Sequence, residues 1–353
     1  MDSLTQAALG AVVGEIVLGK KTGWRGAAWG AFFGTLPDLD VIVLPFLDAA
    51  GGIRWHRGLS HSILIMIIAG VALARPLARR LKAFDVTPKE AGWMVFWAWS
   101  THVLIDCFTT YGTQIFEPFS DYRVSMNNIF IVDPLFTIPL LVGLFLALRI
   151  HDDPGHRARV IWRALAVSCL YIVFTFTMHG WASRTIQSQL SEEIPDGTLV
   201  AVAPSALNTL LWRGLIETEG GFFITYWSPF DEGRGTYTFV EKQRELVADF
   251  EGTPELEALK WFSRGHWVAR PGENGAVKFI DMRFAEIRDP RSDTLQQIFQ
   301  WPMTRDETGK VHCPMVRPEG LDYPGAMRLL WGRIWGNTEK WDSIKEFDKK
   351  SSQ

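Results

Sequence analysis

Residues 91–111 read AGWMVFWAWSTHVLIDCFTTY. The stretch carries no lysine or arginine and is long enough to cross the hydrocarbon core of a bilayer, which takes about 20 residues. It nevertheless contains His102 and Asp106, four residues apart. On a helix, positions i and i+4 share a face, so this pair can converge on one ion. Ionisable groups inside a membrane run are costly and read as functional by default. One segment therefore points both to a membrane helix and to a site on it.

Similar apolar runs lie on either side, near 4–19, 26–47, 60–83, 132–150 and 161–183. The first is rich in glycine and alanine and contains Gln6 and Glu15. The second meets Pro37-Asp38-Leu39-Asp40 before resuming as Val41-Ile42-Val43-Leu44. A carboxylate pair there should break the span, because irregular backbone at membrane depth survives only where protein or water covers it. The first run lacks the basic leader of a cleaved signal peptide. Together the runs predict a multi-pass α-helical membrane domain over residues 1–183, with about five transmembrane segments.

Charge between the runs sets the expected orientation. The connections 19–25, 75–90 and 149–163 hold 12 lysines and arginines, while 45–60 and 112–131 hold only Arg54, Arg57 and Arg123. The positive-inside bias puts the first group in the cytoplasm and the second outside. The chain is then expected in a bacterial-type cytoplasmic membrane, with its C-terminal part extracytoplasmic.

Whole-chain averages conceal this division. A mean hydropathy of +0.05 looks like an ordinary globule, yet the apolar runs are nearly all in the first half. Residues 184–353 show alternating patterns at 197–203, 221–227, 236–248 and 276–286, a helical stretch at 254–264, and turn signals at 195–197 and 231–235. They predict a small α+β extramembrane domain. A net charge of -3 argues against a nucleic-acid partner. Three cysteines, Cys107, Cys169 and Cys313, cannot build a disulfide framework.

Six polar residues stand out by position: Asp38 and Asp40 at the break, His56 and His61 before the third run, and His102 with Asp106. They come from three segments but fall at one, outward, membrane level. Imidazole and carboxylate together suit Zn²⁺, with Mn²⁺ or Fe²⁺ as alternatives, and three carboxylates can offset one or two ions. Arg57 and Arg123 are cations on the same side, suited to an anionic group. Glu15 lies mid-run, either catalytic or hydrogen-bonded to a neighbouring helix. Asp133 before Pro134 reads as a helix cap.

The motif order resembles the YdjM-like family of inner-membrane proteins, regarded as metal-dependent hydrolases. The matching pieces are Met1-Asp2-Ser3-Leu4-Thr5-Gln6, Gly14-Glu15, Pro37-Asp38-Leu39-Asp40, His56-Arg57-Gly58-Leu59-Ser60-His61-Ser62 and His102-Val103-Leu104-Ile105-Asp106. Tyr111-Gly112-Thr113, Pro118-Phe119-Ser120 and Asp133-Pro134 complete the series. The resemblance covers about residues 1–185 and implies a multi-pass membrane protein with a divalent metal and hydrolase activity. Many members carry Thr-His where this chain has Thr5-Gln6, so its metal shell differs or Gln6 and Glu15 take part.

The expected function is hydrolysis of an ester or phosphoester in a lipid or lipid-linked substrate, using a metal bound by the six residues and Arg57, Arg123 or Glu15 as catalytic groups. A membrane-level site favours such a substrate. The alternative is a regulatory or binding protein with a structural metal and a sensor-like C-terminal domain. Intramembrane proteolysis is disfavoured by the absence of His-Glu-x-x-His. A transporter is disfavoured by the apolar cytoplasmic halves of 60–83 and 132–150. Oligomeric state leaves no trace in the sequence.

Overall fold

The protein is described by a computed structural model covering residues 1–150, 152–344 and 346–347. The chain divides into two compact units. One comprises Met1–Pro45, Trp55–Thr177 and Ala206–Asn208; the other comprises Phe46–Arg54, Met178–Ser205 and the residues from Thr209 onward.

The first unit is helical. Helix α1 (Ser3–Thr22) starts on Asp2, whose carboxylate accepts from the Leu4 and Thr5 N–H groups. It turns at Gly23 into α2 (Trp24–Thr35). The two helices touch backbone to backbone: a Cβ on Gly14 would lie 2.1 Å from the Gly26 carbonyl oxygen, and one on Gly30 2.1 Å from that of Gly10. Glycines at four-residue spacing permit this approach, as in membrane helix pairs. Beyond Thr35 the chain tightens into a 3₁₀ stretch, Leu36–Phe46. Pro37, with no N–H to give, sits at its start.

Helix α3 (Ala49–Trp55) follows, its residues up to Arg54 belonging to the second unit. Ser62 caps α4 (Ile63–Arg80) through a 3.2 Å bond from the Ile65 N–H. A Thr87–Glu90 capping box opens α5 (Pro88–Cys107). A bridge between Thr113 and Val124 ties the loop after α5. Asp133 caps α6 (Pro134–Leu148) as anticipated, accepting from the Leu135 and Phe136 N–H groups. Helix α7 runs from Pro154 to Glu193, its residues from Met178 onward belonging to the second unit.

Helix α1 is central. Its Val13 and Leu18 join Phe33, Met66, Met94 and Val95 in one cluster, while Leu9 and Val12 join Ile105, Phe136, Leu140 and Ile161 in another. The outer faces of α4 to α7 expose Val71, Trp97, Leu104, Val142, Leu170 and Val173. Large apolar side chains exposed on several helices are unusual in water and natural in lipid.

Among the described residues, two helical stretches are long and apolar enough to cross a membrane, Trp24–Phe46 and Pro154–Glu193. Ala49–His61 with Ile63–Arg80, bent by 52°, would make a third. That is fewer than the five segments expected from the runs. Gln6, Glu15 and the glycines lower the apolar character of α1, His102 and Asp106 that of α5, and α6 has only 15 residues. The Pro37–Asp40 break does not interrupt the second run; it changes its helix type.

Among its described residues the second unit holds three sheets. The first is antiparallel, β1 (Thr198–Pro204), β2 (Trp212–Glu217), β3 (Gly221–Trp227) and β4 (Tyr237–Glu241), in that order. Register pairs Trp212 with Trp227 and Leu215 with Ile224, placing inner residues opposite one another. After α8 (Pro254–Ser263), β5 (Trp267–Pro271) and β6 (Val277–Asp281) belong to a second sheet. β7 (Glu286–Asp289) and β8 (Thr294–Gln297) pair in a third. β9 (Gln300–Arg305) and β10 (Val311–His312) return to the second. α9 (Tyr323–Ile334), α10 (Glu339–Ser343) and β11 (Glu346–Phe347), parallel to β8, complete the unit. The expected strand over 236–248 ends at Glu241, and a 3₁₀ turn, Arg244–Phe250, takes its second half.

Candidate metal centre

Three elements of the first unit supply the site. Helix α5 presents His102 and Asp106, whose Nε2 and Oδ2 lie 3.4 Å apart. The short 3₁₀ turn Leu59–His61, ahead of α4, presents His61, with its Nε2 3.2 Å from that of His102 and 3.6 Å from Asp106 Oδ2. The 3₁₀ stretch after α2 presents Asp38, with Oδ1 3.4 Å from His61 Nε2 and 3.5 Å from His102 Nε2. The four donor atoms lie within 4.8 Å of one another and can hold a metal ion.

Two observations test the fit. Donors about 2.0–2.2 Å from one ion stand about 3.3–3.6 Å apart at tetrahedral corners, but only about 2.8–3.1 Å apart as octahedral neighbours. The five separations given above, 3.2–3.6 Å, fall in the tetrahedral range, and the four atoms all lie within 4.8 Å of one another. Secondly, Asp38 Oδ1 and Asp106 Oδ2, the two oxygens facing the centre, are buried without a hydrogen-bond partner. Buried carboxylate oxygens are normally satisfied, and a cation at the centre would satisfy both.

A second layer fixes the donors. His102 Nδ1 lies 2.6 Å from the Gly34 carbonyl, so its N–H donates there and the Nε2 lone pair faces inward. His61 Nδ1 donates to Ser60 Oγ at 2.9 Å, and Ser60 donates in turn to Asp40 Oδ2 at 3.2 Å. Ring N–H groups held this way are the usual support of metal-binding histidines. The other oxygen of Asp106, Oδ1, accepts from Gln6 Nε2 at 2.9 Å and meets Arg57 Nη2 at 3.2 Å and the Met1 amino group.

Of the six sequence-derived ligands, the structure brings together Asp38, His61, His102 and Asp106 but not Asp40 and His56. A 3₁₀ helix makes three residues per turn, so Asp38 and Asp40, two apart, cannot face the same way. Asp40 instead accepts from the Arg57 N–H and pairs with His56 Nδ1, both at 2.9 Å. His56 belongs to this outer layer.

The three remaining candidates take different places. Arg57 is buried, with φ +57°. Its guanidinium reaches Asp106, bonds Thr109 Oγ1 at 3.3 Å and lies over Tyr111. Arg123 covers Tyr111 from 4.8 Å and donates to the carbonyls of His56 and Gly112. Glu15 stands on α1 nine residues beyond Gln6 and pairs with Arg157 of α7, away from the four donors. It therefore ties two helices. Ser60, Tyr111 and the Gly34 carbonyl were not singled out as site residues. Ser60 adjoins His61 in sequence and could have been noticed; a backbone carbonyl leaves no trace in a sequence.

With the order of motifs now matched by a single centre, comparison with known proteins is informative. Residues 1–182 match the family described as YdjM inner membrane protein. The chain belongs to the YdjM family. Over 193 residues it is 26% identical to the uncharacterized protein YfhP of Bacillus subtilis (strain 168), a region covering 53% of this chain and 54% of that protein. The chain thus spans about half the length of the curated relative it matches. No solved structure matches it. The YdjM match ends within α7, so it takes in every residue of the centre and stops before the first β-strand. The description of the YdjM family as inner membrane proteins agrees with the apolar exterior of the helices.

Proposed function

We propose that this YdjM-family chain is a multi-pass, metal-dependent hydrolase of the bacterial cytoplasmic membrane, cleaving an ester or phosphoester of a lipid or lipid-linked substrate. The observation that carries this reading is the convergence of Asp38, His61, His102 and Asp106 at tetrahedral spacing, with two buried oxygens facing the centre. Two imidazoles and two carboxylates suit zinc best, with manganese or iron as alternatives. A divalent ion in that donor set supplies Lewis acidity for hydrolysis near neutral pH.

The chain's own groups have clear tasks. Gly34 and Ser60 hold the two imidazoles with their Nε2 atoms inward. Arg57 offsets the charge of Asp106, and its guanidinium beside the donors suits an oxygen of an anionic substrate. Arg123 supports the same region through Tyr111. Of the four donor residues only Asp38 has an appreciably exposed side chain, 25% against 0% for the others, so approach is from its side. The lipid character of the substrate rests on the apolar exterior around the site.

One observation favours a second reading. Structural zinc sites use four protein ligands, whereas catalytic sites keep a position open. Four donors at tetrahedral spacing are the structural pattern, with the β-sheet unit then acting as a sensor. Purified protein should contain close to one equivalent of metal per chain, absent from His61→Ala and His102→Ala; a metal-free wild type sinks both readings. Cobalt substitution separates them. A visible spectrum that changes on adding phosphate supports the hydrolase, and one that does not change supports the structural metal.

A further inference from the structure

Helices α4 and α5 meet closely where a Cβ on Gly92 would lie 2.8 Å from the Gly70 carbonyl oxygen. Gly70 and Gly92 also line an open groove of about 810 Å³ between the two helices. Its walls are apolar, formed by Ile67, Val71, Trp93 and Phe96, with Val71 74% exposed. Arg75 and Lys89 line the same groove, and both are exposed. A smaller recess shares Arg75 and adds Arg79 and Lys82; Asp85 is the carboxylate among its lining residues.

We propose that this groove is a binding site for an anionic phospholipid, with an acyl chain along the apolar walls and the headgroup phosphate between Arg75 and Lys89. The groove combines what such a ligand needs: a strip of apolar surface on helices whose outer faces are apolar, ending in clustered cations. Basic residues at the cytoplasmic ends of membrane helices attract anionic headgroups, and 75–90 is a segment that charge bias assigns to the cytoplasm. A free phosphate would have no use for the apolar walls, and a zwitterionic lipid none for the excess of positive charge. The proposal is independent of the metal centre, which involves none of these residues.

The test uses the full-length protein in detergent. Native mass spectrometry would follow retention of phosphatidylglycerol and of phosphatidylcholine with identical acyl chains, with glycerol 3-phosphate as a soluble probe. Phosphatidylglycerol should be retained roughly tenfold or more over phosphatidylcholine. The R75Q/K89Q double variant should lose that preference. V71W, which fills the groove from an exposed position, should reduce retention of phosphatidylglycerol itself. Circular dichroism matching the wild type would show that both variants fold. Equal retention of the two lipids, a preference that survives R75Q/K89Q, or retention unchanged in V71W would overturn the proposal. Binding of glycerol 3-phosphate as tight as that of the lipid would reduce the site to an ion site and overturn it too.

Discussion

At the scale of single residues, the centre separates donors from supports, and mutation should resolve the two classes. Asp40 touches His56, Ser60 and the Arg57 backbone but is not among the four donors. Asp40→Asn should therefore keep metal with affinity about 10–100-fold weaker, as for outer-layer partners generally, while His61→Ala should bind none. Titration against a competing chelator measures both. Cys313 offers a different check. Burial, reinforced by Glu255 and Asp48, pushes its thiol up to about 12, so little thiolate exists at neutral pH. Iodoacetamide at pH 8 should leave Cys313 unmodified in the folded protein and alkylate it after denaturation, as peptide mass mapping would show. Much at this scale was legible. His102 and Asp106 declared themselves by i,i+4 spacing in an apolar run. The division between Asp38 and Asp40 was not legible, because it depends on which face of the 3₁₀ stretch meets His61 and His102.

At the scale of elements, the α1–α2 hairpin holds the centre in register. It carries Gln6 and the Gly34 carbonyl to α5, and the hairpin itself depends on the contact of Gly14 with Gly30. Gly30→Leu should force the helices apart, destabilise the protein by about 1–3 kcal/mol or more, and lower metal content without touching a donor. Thermal unfolding and metal analysis of the same sample would show the two effects together. The sheet unit has its own buried linchpin. Glu286 on β7 accepts from Arg213 Nε on β2 at 3.0 Å and from the Tyr226 hydroxyl on β3 at 2.9 Å. Burial raises its pKa, but Arg213 and Arg288 outweigh that and hold it below the usual carboxylate value. A lowered folded pKa contributes stability above the unfolded value, about 4.3, and that contribution is lost as pH falls through the folded value. Glu286→Gln leaves Arg213 uncompensated and should cost about 3–5 kcal/mol at pH 7. Its deficit relative to wild type should shrink under acid, read from thermal midpoints across pH. The glycine content of the first run was visible in the sequence, but the meeting of Arg213 and Tyr226 with Glu286 was not, since both lie 60 or more positions from it.

At the scale of the whole molecule, the two units and the contrast in texture between the halves go together. The expected topology puts the sheet unit outside the cytoplasm. An alkaline phosphatase fusion at the C-terminus should therefore be active and a green fluorescent protein fusion dark; the opposite pair of results would invert the topology and move the metal centre to the cytoplasmic side. The apolar exterior of α4 to α7 also requires that the protein resist extraction by high salt or carbonate and yield to detergent.

The sequence by itself determined which residues avoid water and which chemistry they carry: apolar runs, an i,i+4 His–Asp pair, charge bias between runs, and an ordered set of motifs shared with the YdjM family. These are local or one-dimensional properties, set by transfer free energies and helical periodicity. Tertiary structure alone decided that Asp38, His61, His102 and Asp106 meet while Asp40 and His56 support them, that Glu15 binds Arg157, and that Arg57 lies against Asp106. Those outcomes depend on where separate elements are brought together by close glycine contacts and on how each short 3₁₀ segment turns its side chains. Neither is encoded at any single position.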